Sequence, residues 1–417
     1  MARKVPRIAV LVTLDSKFEV AQFFCHALKN AGADPWVLDL SLRPHSNRIS
    51  ELQQHSPLDR SNVTFDTLRG KSRAEASQMM IDAGVEMLAT EFDKVGLSGV
   101  IGIGGANGST ISCGIMRSLA YLVPKIMVTP VAATAAVQWY VAQSDIAMFP
   151  SIGDISLNRI TRAILENAAH AIAGMSIAFS DRKDAQTSTK PLIGLSTFGN
   201  LQVTVDRVSA CLEAANAEVI HFHASGPGGK ALESLVRAGE LQGLIDLTTS
   251  ELTDFVAGGV YSAGKDRMKA AAQTGLPQIV VPGCLDFSNW WVGQVPEKYQ
   301  DREFYQYNQE IVLMRTNRYE YEQLARLFAD RLTNPTGPLT IIIPEQGFSQ
   351  MTEFATFSIN GEKLGPWHQP KCDAVFSNTL KQCLKDQSII EMDAHINDPE
   401  FADRVVLELK KIVPLLQ

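Results

Sequence analysis

Short apolar runs alternate with stretches of helical spacing through most of this chain, the pattern of repeated β-α-β units. Residues 7–13 read as a strand. Ser16 and Glu19 then have capping-box spacing, and Val20, Phe23, Phe24, Ala27, Leu28 and Ala31 keep one helical face until Gly32 stops it. A strand over 35–40 precedes a polar stretch, 41–71, that has no clear period. A helix over 72–92, a strand over 99–103, a helix over 109–122, strands over 125–129 and 145–149, and a long helix over 156–178 complete the first half. Repetition of this kind predicts parallel sheets covered by helices on both faces.

The polar, aperiodic residues 179–190 break the pattern, and 181–190 is the predicted linker. It separates an N-terminal subdomain over 1–180 from a C-terminal one over 191–417. The pattern restarts with a strand over 192–197 and a helix carrying Val203, Val205, Val208, Leu212 and Ala215. Strands over 217–223, 244–247, 278–281, 311–314, 339–343 and 389–392 follow, with a helix over 229–238. The expected fold is α/β: two Rossmann-like three-layer α/β/α subdomains with mainly parallel sheets. Residues 284–309 are aromatic-rich and aperiodic, either a lid or interface arm or a surface loop pinned by its own aromatics.

At 417 residues, two domains of roughly 200 residues each are expected. The 45% hydrophobic and 20% charged fractions fit a soluble globular protein. A net charge of −7 without a long basic run argues against nucleic-acid binding. No apolar stretch reaches the roughly 18–20 residues of a membrane span, and no signal-peptide cleavage pattern follows the basic N-terminus. Six scattered cysteines without a C-x-x-C pair read as reduced thiols in a cytoplasmic protein.

Two strand–glycine-loop–helix junctions carry the candidate chemistry. The first runs through Gly102, Gly104, Gly105, Ala106, Asn107, Gly108, Ser109 and Thr110. The second runs through His221, His223, Ser225, Gly226, Pro227, Gly228, Gly229 and Lys230. The unpaired amides of a helix start, made electropositive by the dipole, accept an anion that glycines allow to come close. Each junction is therefore a phosphate or carboxylate cradle, or else only a tight turn. The first lacks a Walker lysine and fails G-x-G-x-x-G at Asn107; the second has Ala224 and Ala231 where a Walker loop needs Gly and Ser/Thr. His221 and His223 share a strand face, as a pair of metal ligands would, but no third ligand has motif spacing. A buried, bonded His221 is the commoner outcome, and His223 is the better candidate for acid–base work. Thr248, Thr249 and Glu251 either help hold magnesium or a ribose or form an ordinary capping box, and Asp286 lies past another strand end.

These motifs together resemble the Tm-1-like ATP-binding domain family. Residues 13–17, Gly102 to Gly105 with Gly108, Ser109 and Thr110, and residues 144–150 look like its first subdomain. Residues 222–229, 248–251 and 314–316 look like its second. The resemblance covers nearly the whole chain. It implies two Rossmann-like subdomains, a homodimer, and binding of ATP with magnesium. It also implies a separate barrel protein as a partner, since the chain is similar to the free-standing type. Ser16 stands where a threonine is usual, and Tyr307 where histidine is common.

The expected function is thus binding of ATP, or a related phosphorylated or small anionic ligand, with magnesium. Gly104, Gly105, Asn107, Gly108, Ser109 and Thr110 are the expected first cradle. Ser225, Gly226, Gly228, Gly229, Lys230, Thr248 and Thr249 are the second, with Glu251 and Asp286 as metal candidates. One alternative is a catabolic enzyme acting on a small carboxylate or sugar acid between the subdomains, with His223 as its catalytic candidate. Another is a regulatory subunit for the barrel protein.

Overall fold

The computed structural model describes residues 5–50, 52–184 and 190–416. The chain forms two compact units, 1–188 and 189–417. In unit 1 the strands are β1 (Arg7–Val12), β2 (Asp34–Asp39), β3 (Gln54–His55), β4 (Leu97–Ile103), β5 (Lys125–Thr129) and β6 (Ala147–Pro150). They make one sheet in the order β3-β2-β1-β4-β5-β6, every neighbouring pair parallel. Its helices are α1 (Leu14–Asn30), α2 (Phe65–Arg69), α3 (Arg73–Glu91), α4 (Ala106–Met116), α5 (Val137–Val141) and α6 (Arg159–Asp184).

Alternation along β1 sends Ile8, Val10 and Val12 to one face, packed with Phe24, Leu28 and Ile172 of α1 and α6. Ala9 and Leu11 meet Met80, Ile111 and Ile115 of α3 and α4 on the other. Both faces are dry, which is why these strands read as continuous apolar runs. The capping box expected at Ser16 and Glu19 does not form. Helix α1 begins earlier, at Leu14 after Thr13, and the Ser16 hydroxyl lies 2.9 Å from that of Thr13. Helix α6 runs on to Asp184, so the predicted linker starts inside a helix, and its residues 185–189 lie outside the described residues.

Unit 2 repeats the scheme with β7 (Leu192–Thr197), α7 (Gln202–Ala214), β8 (Glu218–His223), α8 (Pro227–Arg237), β9 (Gly243–Thr248), α9 (Ser250–Ala257), α10 (Ala270–Thr274) and β10 (Gln278–Gly283). Then come β11 (Phe287–Trp291), β12 (Phe304–Gln306), β13 (Ile311–Arg315), α11 (Arg318–Leu332), β14 (Leu339–Pro344), β15 (Ala355–Phe357), β16 (Lys363–Pro366), α12 (Pro370–Cys383), β17 (Ser388–Met392) and α13 (Pro399–Ile412). The main sheet is parallel, ordered β17-β14-β10-β9-β7-β8. The aperiodic 284–309 segment is neither a free lid nor a simple loop. It supplies β11 and β12 to an antiparallel sheet, β11-β13-β12-β15-β16. Among the described residues no helix is long and apolar enough to cross a membrane.

Gly102 on β4 shows how closely the helices lie on the first sheet. A methyl there would come within 2.6 Å of Met127 Sδ and 2.8 Å of Ser112 Cβ on α4. Gly102→Val is therefore expected to destabilise unit 1 by about 1–3 kcal/mol through overpacking. A urea unfolding midpoint unchanged from wild type would contradict this packing.

Candidate functional site

In the first sheet, β2 and β4 flank β1 on opposite sides, so the crevice of an open parallel sheet lies at the carboxyl ends of β1 and β4. The turn after β1 is held by Asp39 at the end of β2. Its Oδ1 accepts from the Leu14 amide (3.1 Å), the Ser41 amide (3.0 Å) and the Ser41 hydroxyl (2.5 Å). Its Oδ2 lies 2.8 Å from His45 Nε2. The Asp15 amide donates to Ser41 Oγ, and Lys17 Nζ donates to the Ile155 carbonyl at 2.7 Å. Residues 13–17 are thereby fixed facing the glycine loop after β4.

That loop turns sharply because Gly104 sits against Gly108, whose Cα would be 3.0 Å from a methyl on Gly104. Ser109 is buried, and its hydroxyl lies within hydrogen-bond distance of the Gly105 carbonyl (2.9 Å) and of Thr129 Oγ1 (2.8 Å). It braces the loop and does not point at a ligand, contrary to the expected role. Thr110 Oγ1 donates back to the Ala106 carbonyl. Asn107 Oδ1 accepts from Ser77 Oγ at 3.1 Å, tying the loop to α3. The amides of Gly105, Ala106, Asn107 and Gly108 have no acceptor among the described residues.

A cavity of about 610 Å³ lies over these amides, and Thr13, Asp15, Ser16, Gly105, Asn107 and Gly108 line it. Lys17, Arg43, Arg69, Lys71 and Arg73 also line it, five cations to one carboxylate. Arg43 lies 3.8 Å from Asp15 and Arg69 3.5 Å from Asp66, while Lys71 and Arg73 have no carboxylate within 4 Å among the described residues. Four of these cations escaped the sequence reading because they fall on or beside the aperiodic stretch. The cluster Arg69-Gly70-Lys71-Ser72-Arg73 was nonetheless a legible signal.

The second glycine loop is built for a different purpose. Glu251 Oε1 accepts from the amides of Gly226 (2.6 Å) and Gly229 (3.0 Å), filling the cradle with the chain's own carboxylate. Its Oε2 accepts from Arg267 Nε at 2.6 Å. Both of the remaining Arg267 nitrogens reach Asp246 at 2.6 Å, and Asp246 also accepts from Ser196 Oγ at 2.7 Å. All three charged groups are buried. Methyls on Gly228 and Gly229 would overlap the His223 carbonyl (1.9 Å) and Glu251 Oε2 (2.0 Å), so these glycines serve close packing. Gly226, with φ +96°, needs the left-handed region as well.

Other expected members are likewise engaged. Thr248 and Thr249 are buried, their hydroxyls on the Ser196 and Val281 carbonyls. Ser225 bonds back to the His223 carbonyl through its amide and, at 3.5 Å, its hydroxyl. Glu251 caps the loop, not its own helix, so neither the capping box with Thr248 nor a metal-ligand role survives. Asp286 is buried, with Oδ2 accepting from Ser349 Oγ (2.7 Å) and Trp367 Nε1 (2.8 Å), an anchoring role in place of the metal site expected. Among the described residues no group of three or more His, Cys, Asp or Glu is arranged to hold a metal ion. Lys230 is exposed on the first turn of α8.

His221 is exposed, 2.9 Å from Ser209 Oγ, and not buried as expected. His223 stacks on Phe198 with ring centres 5.2 Å apart and planes within 3°. Partial burial lowers its pKa, which favours the neutral imidazole. Tyr261 meets Phe198 edge-on at 6.3 Å and Trp291 at the same distance. Neither Arg267 nor this aromatic cluster was singled out from the sequence, because their partners are distant in the chain.

Family models cover both units. The one described as Uncharacterised protein family (UPF0261) N-terminal domain matches residues 6–181, and its C-terminal counterpart matches 190–413. A UPF0261 protein of Clostridium tetani is 33% identical over 99% of each chain. Another, of Rhizobium meliloti, is 36% identical over 97% of this chain and 99% of its own. The tomato ToMV resistance protein Tm-1(GCR237) is 28% identical over 98% of this chain, which spans 56% of the tomato protein.

Two outcomes follow for the buried network of unit 2. Glu251→Ala leaves Arg267 Nε and two loop amides without their acceptor and is expected to lower stability by about 3–5 kcal/mol in chemical denaturation. A loss under 1 kcal/mol would refute the bracing role. Burial pushes the Asp254 carboxyl up to about 7, against hydrogen bonds from the Asn289 side chain, the Asn289 amide and the Tyr261 amide. A carboxyl raised in the fold stabilises fully below its unfolded pKa of about 3.9. That contribution is lost as pH rises through about 7. Stability measured from pH 4 to 8 should fall over that window, and Asp254→Asn should flatten the slope.

Proposed function

The chain belongs to the UPF0261 family, and on that premise we propose that unit 1 binds a phosphorylated small molecule, ATP being the first candidate. One observation carries the reading: four helix-start amides without acceptors open into a cavity ringed by five cations. Amide and guanidinium donors make charge-assisted hydrogen bonds to phosphate oxygens, and the helix dipole adds about 0.3–1 kcal/mol for a negative charge there. A cavity of about 610 Å³ suits a nucleotide-sized ligand better than a lone small anion. The resemblance to the Tm-1-like ATP-binding family makes ATP the nucleotide to try first. Magnesium would arrive on the phosphates, with Asp15 and the Thr13 and Ser16 hydroxyls as the groups this cavity offers it.

The second glycine loop has no part in this reading, because Glu251 occupies it. His223 favours a second reading, an enzyme of small carboxylates or sugar acids. Its neutral, stacked ring at a strand end is suited to taking a proton. Turnover lost in His223→Gln while nucleotide binding persists would support that reading.

Calorimetry with ATP, ADP and inorganic phosphate, each with and without magnesium, tests the main proposal. Lys71→Glu with Arg73→Glu should weaken nucleotide binding at least tenfold, a change of about 1.4 kcal/mol or more. Both side chains are exposed, so the melting temperature should stay within a degree or so. Absence of heat and of thermal stabilisation at millimolar nucleotide would overturn the reading.

A further inference from the structure

The second sheet has a switch point of its own. Strands β8 and β9 flank β7 on opposite sides, so its crevice lies at the carboxyl ends of β7 and β9. Two turns bound it, 198–200 after β7 and 249–251 after β9, and neither is the glycine loop that Glu251 fills. Hydrogen bonds hold the two strand ends together: the Thr248 amide donates to Ser196 Oγ at 2.8 Å, and the Thr248 hydroxyl to the Ser196 carbonyl at 3.4 Å.

Each turn starts a helix, α7 by way of the 3₁₀ turn Gly199–Leu201 and α9 directly. The amides of Gly199, Asn200, Ser250 and Glu251 have no acceptor among the described residues. Two side-chain atoms share that condition. Asn200 Nδ2 and Ser250 Oγ are buried without a partner, in residues only 2% and 0% exposed. An unmet buried polar atom is costly, and one in each of two adjacent turns points to a guest that meets both.

All six groups can donate, so the guest presents oxygen acceptors, and helix starts favour a negative one. Its charge is bounded by what lies around it. Residues 197–202 and 248–253 include no lysine or arginine, and their one charged residue, Glu251, is already held by Arg267 and the glycine loop. A phosphate dianion would lack here the cations that ring the unit 1 cavity, whereas a single carboxylate is matched by amide and hydroxyl donors. Phe198, at the start of the first turn, has ring neighbours in His223 at 5.2 Å, Phe287 at 6.0 Å and Tyr261 at 6.3 Å, an aromatic surface for the rest of such a molecule. Gly199 is exposed, which opens this turn to solvent.

We propose that unit 2 binds a small carboxylic acid with an apolar or ring-shaped body at these two turns, its carboxylate held by the amides of Gly199 and Asn200 with Asn200 Nδ2 and Ser250 Oγ. Such a site would give the His223 reading a place to hold its acid, yet binding alone tests it, without turnover, and nucleotide binding in unit 1 is unaffected either way.

Calorimetry on the full chain with benzoate is the test, with benzamide as the neutral control. Benzoate should bind saturably, and benzamide at least about tenfold more weakly. Gly199→Pro removes one donor and spares the fold. That amide donates to none of the described residues, Gly199 opens a helical turn, and Phe198 before it is extended (φ −150°, ψ 151°), as suits a residue preceding proline. The variant should weaken benzoate at least about tenfold without lowering the melting temperature, while Gly199→Ala, which keeps the amide, binds as wild type. Ser250→Ala deletes an unpartnered hydroxyl and should weaken benzoate about fivefold or more at unchanged stability. Benzoate binding should survive Lys71→Glu with Arg73→Glu, which separates this site from the unit 1 cavity. The proposal is overturned by no saturable binding, by benzamide binding as tightly, by loss of binding in the Lys71 and Arg73 variant, or by wild-type binding in both Gly199→Pro and Ser250→Ala.

Discussion

Amide groups at the start of a helix have to be met by something negative or by water, and the two units meet that demand in opposite ways. In unit 2 the chain supplies the anion itself. Glu251 enters the glycine loop from inside and is held there by Arg267, which Asp246 grips from the other side. The carboxyl edge of the second sheet is organised around this chain of charges, because it links β9, α9, the loop before α8 and the segment before α10. In unit 1 no side chain among the described residues accepts from the loop amides, and five cations and one carboxylate line the cavity over them.

The difference has an energetic side. Five like charges around one cavity repel one another in the free protein, and Asp15 and Asp66 offset two of them. A polyanion in the site would relieve that repulsion, so the proposed binding would also stabilise unit 1. The buried triad of unit 2 has no such dependence, since Arg267 already bonds both Glu251 and Asp246.

Most of the architecture could be read from apolar periodicity, because dry parallel strands leave uninterrupted apolar runs such as 99–103 and 125–129. The antiparallel sheet could not. Strands β11, β12, β15 and β16 are three to five residues long and alternate too briefly to show a period. Both glycine loops were visible, but their fates were not distinguishable. Whether a loop is open depends on Glu251, more than twenty positions downstream, and the sequence offered Glu251 equally as a cap or a metal ligand. In unit 1 the loop and the basic cluster over 69–73 were both there to read, but their meeting was not, because Arg43, Arg69 and Lys71 sit in a stretch where no helical or strand period fixes their direction.

The antiparallel sheet leaves the main body at only two places. Strand β11 follows the carboxyl end of β10, and β15 with β16 follow that of β14. The main parallel sheet closes its own ladder without any of these strands. Strand β11 is nevertheless bound to that body, since the buried Asn289 donates to Asp254 of α9 through both its amide and its side chain. A change in β11 is therefore felt at α9, because one buried carboxyl holds both.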